Sequence, residues 1–67
     1  MTIGQLLPTD KSILAVVLYY NRETGILEKV TSGYAGDGEF RQLCHFKKPF
    51  HYVADKATYV FFVYGED

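Results

Sequence analysis

Sixty-seven residues make one domain, 1–67, and at this size folding buries only about 60% of the surface that the unfolded chain exposes. Seven Lys plus Arg against eight Asp plus Glu give a formal net charge of −1, which argues against the basic footprint of a general nucleic-acid binder and against an acidic mimic of DNA. The single cysteine excludes an intrachain disulfide and suits a reducing cytoplasm, while six Tyr and five Phe supply large buried area instead.

Residues 1–11 carry Ile3, Leu6 and Leu7 ahead of a Pro8-Thr9-Asp10 breaker and read as an ordered arm, either a helical turn or an edge strand. No positively charged run precedes an apolar stretch here, so no signal peptide is expected. Residues 12–20 form the first strand. The run from Ile13 to Tyr20 is apolar on both alternating faces, so neither face suits water. It also falls far short of the ~20 residues that a membrane-spanning helix needs. Asn21 to Gly25 is a hairpin loop, with Gly25 placed for a positive φ. Residues 26–31 form a second strand of mixed pattern, suited to a sheet edge.

Residues 32–38 hold Gly33, Gly36 and Gly38 and read as a turn region without a phosphate-binding fingerprint. Residues 39–48 fit two patterns. As a strand, Phe40, Cys44 and Phe46 share a face. As a helix, Phe40, Leu43 and Cys44 form a stripe, with Asp37 as cap, Glu39 in the first turn and Pro49 as stop. Phe50 to Ala54 then faces Ala57 to Phe61 across Asp55-Lys56 as a hairpin. The last strand runs A-T-Y-V-F-F-V-Y to Tyr64, and Gly65-Glu66-Asp67 follows as a polar end.

The first and last strands are the two most apolar; if they lie next to each other, they form the centre or the seam of an antiparallel sheet. The predicted fold is therefore mostly β: a small antiparallel meander or partly open barrel of about five strands. The alternative is an α+β layer, an antiparallel sheet with one helix near 39–48. That layer leaves one sheet face bare, with Tyr59, Phe61 and Val63 or their neighbours exposed, and apolar surface of that kind marks an interface.

Candidate chemistry is thin. Cys44 and His45 are adjacent and diverge on a strand or a helix, and His51 would reach Cys44 only through the fold. Cys44, His45 and His51 fall short of a structural zinc set and lack metal-site spacing. The acidic residues fall at turns, edges and the terminus. Neither catalysis nor a cofactor is expected.

What remains is binding through aromatics with basic neighbours: Arg41, His45, Lys47, Lys48 and His51 interleave with Phe40, Phe46, Phe50 and Tyr52. The expectation is a non-enzymatic, cytoplasmic protein-binding module that forms a homodimer or holds a standing partner. Its surface would centre on Arg41, Lys47, Lys48, His51 and Tyr52, with Tyr34 on the glycine-rich loop. In size and in its want of catalytic groups the chain resembles the small proteins of phages and mobile elements, many of which inhibit a host or defence protein. A small β-barrel that stacks single-stranded bases is the second reading. A structural subunit of a homo-oligomer is the third. No membrane association is expected.

Overall fold

The computed structural model describes residues 1–65; the polar end expected at Glu66 and Asp67 lies outside them. Two hairpins flank a helix. A short helix α1 (Ile3–Leu6) leads into β1 (Leu14–Tyr20) and β2 (Leu27–Tyr34), then α2 (Gly38–Cys44), β3 (His51–Ala54) and β4 (Thr58–Tyr64). The strands lie in the order β2-β1-β4-β3. β1 pairs antiparallel with β2, and β3 antiparallel with β4. The two apolar strands do meet at the centre, in parallel, with Leu14 opposite Thr58 and Tyr20 opposite Tyr64.

The fold is thus mostly β with the helix alternative realised, and the sheet is mixed, open and four-stranded rather than a five-strand antiparallel meander or barrel. The cause is α2. It carries the chain from the β2 edge to the β3 edge, so the second hairpin enters with β4 parallel to β1, as a helical crossover allows.

Local chemistry sets the turns. Asn21 Oδ1 accepts from the Glu23 and Thr24 N–H groups at 2.8 and 3.0 Å, and Gly25 takes φ +73°, a conformation that a Cβ disfavours. Asp37 caps α2 by accepting from the Glu39 N–H at 3.0 Å, the arrangement its sequence predicts. β2 runs three residues beyond the expected end at Thr31 and takes in Ser32 and Gly33. Gly33 is needed there: a Cβ on it would lie 2.6 Å from the Phe40 ring, so its bare backbone lets α2 settle on the sheet.

The core lies between one sheet face and the two helices. Ala15, Val17 and Tyr19 of β1 and Phe61 and Val63 of β4 meet Phe40 and Cys44 of α2 and Ile3 and Leu7 of the arm. The arm is pinned by backbone bonds, Ile3 N–H to the Lys47 carbonyl at 2.9 Å and Gly4 N–H to the His45 carbonyl at 3.1 Å. Among the described residues no buried side-chain polar atom lacks a partner, as a well-formed small core requires.

Candidate functional site

Strand alternation fixes what the sheet presents on its other side. Ala15, Val17, Tyr19, Phe61 and Val63 turn to the helices, so Leu14, Val16, Leu18 and Tyr20 of β1 turn away, as do Thr58, Val60, Phe62 and Tyr64 of β4. The register adds Val30, Ser32 and Tyr34 from β2 and His51 and Val53 from β3. None of the described helices packs on this face: α2 and α1 bury their apolar residues against the other. Val30 is 55% exposed, Tyr34 54% and Val53 50%, on a face where antiparallel sheets ordinarily turn polar residues to water.

The face has two ends. At one, Phe50 stacks on Tyr64 with ring centroids 4.4 Å apart, Tyr20 stacks on Phe62 at 6.2 Å, and His51 tilts against Phe62 at 5.3 Å. The Arg22 guanidinium lies 4.2 Å above the Tyr64 ring at the rim. Val30 shares the row of Leu18 and Phe62, and toward the other end lie Leu14, Val16, Val53 and Val60 with Ser32, Tyr34 and Thr58. Among the described strand residues that alternation assigns to this face, Glu28 alone is charged; it lies at the start of β2 beside the register shift, where the Asn21 side-chain amide donates to it at 3.3 Å. Two lysines are instead associated with the helix side, where Lys29 and Lys47 place their ammonium groups 5.3 and 5.7 Å from the Tyr19 ring.

The residues singled out by sequence are distributed around this frame rather than gathered. Tyr34 and His51 both lie on the open face but on opposite edge strands and offset along them, roughly 20 Å apart by strand spacing and rise. Tyr52 turns the other way and stacks on Phe61 at 5.8 Å. It also lines, with Met1, Leu6, Pro49, Phe50 and His51, an open groove of about 400 Å³ between the arm and β3. Lys48 is exposed in the α2–β3 connection.

Arg41 is turned inward. Its guanidinium donates to the Pro8, Ala35 and Gly4 carbonyls at 3.1, 3.0 and 3.2 Å, which ties the arm, the end of β2 and α2 together. It serves the fold, and the reach to Gly4 and Pro8 has no local sequence signal. The residues missed were Val16, Leu18, Val30, Val53 and Phe62. The double-sided apolar strands already hinted at them, since one helix can cover only one face.

Cys44 is buried, and its thiol donates to the Phe40 carbonyl at 3.3 Å. Burial pushes its pKa up, against a smaller lowering by Arg41, the reverse of what a nucleophilic thiolate needs. Among the described residues no group of three or more His, Cys, Asp or Glu side chains is placed to hold a metal ion. No described helix is long and apolar enough to cross a membrane. Comparison with protein families, curated proteins and solved structures returned no match, so the geometry alone carries the functional reading.

Proposed function

We propose that this chain is a non-enzymatic protein-binding module of the reducing cytoplasm whose working surface is the uncovered sheet face. One observation carries the reading: an apolar, charge-free face on the two central strands, opposite a face that is already packed. Exposed patches on monomeric proteins rarely exceed a few hundred Å². Leu14, Val30, Tyr34 and Val53 are 36–55% exposed and the residues between them part-exposed, so the face presents several hundred Å², the scale of the ~800 Å² that each partner gives to a standard interface. Inhibition of a target protein by simple occlusion is the activity that suits such a surface, because it needs no catalytic group.

The face favours protein over nucleic acid. Phosphate binding draws on clustered cations, and the strand residues here supply none, while Arg41 is committed to backbone carbonyls. The test is recovery of a stoichiometric partner on tagged protein from lysate of the cells that make it, with and without nuclease, beside the double variant V30K/V53K. Both substitutions fall at exposed positions of the open face. A nuclease-resistant protein partner that the variant fails to hold is expected. Nucleic acid lost on nuclease treatment, or a partner held equally by the variant, overturns the reading.

A further inference from the structure

We infer that the open face closes on a second copy of the chain, so that the resting protein is a face-to-face homodimer and any other partner must displace that copy. This rests on the proposed binding role of the same face and names its first occupant.

Three features point to a second copy. The area is sufficient: two faces of several hundred Å² each would bury on the order of 1,000 Å², the scale at which specific interfaces begin. The chemistry is self-complementary, because Glu28 and Arg22 lie at one end of the face and its centre, Val16, Leu18, Val60 and Phe62, holds no charge, so a copy meeting it through a two-fold axis brings no like charges into the centre. The shape is that of half a β-sandwich. Such sheets stack about 10 Å apart with side chains interdigitated, and Val16, Leu18, Val60 and Phe62 lie where the second sheet would seat.

Pairing through the sheet edges is disfavoured. The β2 edge carries Glu28 and Lys29 beside a register shift opposite Tyr19 and Tyr20, features that discourage strand addition. β3 offers only four residues.

Sedimentation velocity on the wild-type chain and on V30K/V53K, from about 5 to about 500 μM, decides the matter, with far-UV circular dichroism checking that both are folded. The expected result is a wild-type dimer that persists in about 1 M NaCl, since the centre of its interface is apolar and uncharged. The double variant should associate at least about 100-fold more weakly, as charge placed in a desolvated interface requires. A wild-type monomer throughout, a dimer dispersed by salt, or an equally dimeric variant would overturn the inference. Should the double variant fail to fold, V30K alone is read in the same way. A monomer whose partner is still lost in V30K/V53K leaves the proposed function standing. A monomer with no face-dependent partner removes both.

Discussion

Replacing Arg41 with alanine removes three hydrogen bonds from one guanidinium and releases the arm carbonyls of Gly4 and Pro8 together with that of Ala35. Bonds from a charged donor each contribute about 1.5–3 kcal/mol. The site is only part-buried, so water recovers some of that, and a net loss of about 3 kcal/mol is expected. For a chain of this length total stability is on the order of 3–10 kcal/mol, which makes the loss a large fraction of the whole. At roughly 4–8 °C per kcal/mol for a domain of this size, the midpoint of thermal unfolding should fall by about 12–24 °C. Arg41→Lys keeps the charge but cannot fork to three carbonyls, so it should recover only part of the loss. The assay is urea and thermal unfolding followed by circular dichroism on wild type, R41A and R41K. If R41A lies within about 0.5 kcal/mol of wild type, the range of an ordinary surface substitution, the placement of Arg41 as a staple is refuted.

Gly33→Ala should destabilise by about 1–3 kcal/mol through overpacking against Phe40, whose ring lies 2.6 Å from the added carbon. Urea unfolding of G33A should show a smaller deficit in the F40L background, and equal deficits would contradict the contact. Gly25→Ala should cost about 1–2 kcal/mol because its φ of +73° is unfavourable for any residue with a Cβ; an unchanged urea midpoint would contradict this. Burial raises the pKa of the Cys44 thiol above its ordinary value near 9 and that of Tyr19 above its ordinary value near 10. Both groups ionise more readily in the unfolded chain, so their stabilisation is complete below those ordinary values and falls as the pH rises through the raised ones. Urea unfolding between pH 7 and about 11 should show that decline, less steep in Cys44→Ala. Lys47→Glu should leave homodimerisation unchanged in sedimentation, because that ammonium sits beside Tyr19 away from the open face.

Much of the frame was legible from local signals. Gly25 in its turn and Asp37 as cap with Glu39 behind it follow from residue type and spacing, and the apolar first and last strands were candidates for the centre of the sheet. The parallel pairing of β1 with β4 does not, because alternation with a period of two reads the same in either direction. The helix stripe was legible only in part: Phe40 and Cys44 are buried, whereas Leu43 and Phe46 remain 69% and 74% exposed, since a helix of seven residues presents only a narrow seam to the sheet.

The predicted cluster was dispersed for a similar reason. His51 and Tyr52 are neighbours in sequence and therefore turn to opposite faces of β3. Arg41 looked like a surface cation because its partners Gly4 and Pro8 lie far away along the chain. The bare face itself was foreseen for the helix alternative, with either Tyr59, Phe61 and Val63 or their neighbours turned out: Tyr59, Phe61 and Val63 turn to the helices, and the neighbours Val60, Phe62 and Tyr64 turn away. Choosing between the two sets requires knowing which side α2 takes, and strands apolar on both faces do not encode that.

The most direct test of the open face as the working surface is methyl NMR with a soluble paramagnetic probe, on the concentrated protein and on any captured complex. Leu43, exposed on the helix side, serves as the internal reference. The account predicts that the methyls of Val30, Val53 and Leu18 are shielded from the probe while those of Leu43 are broadened in full. Broadening of Val30 and Val53 to the same extent as Leu43, in both samples, would contradict it.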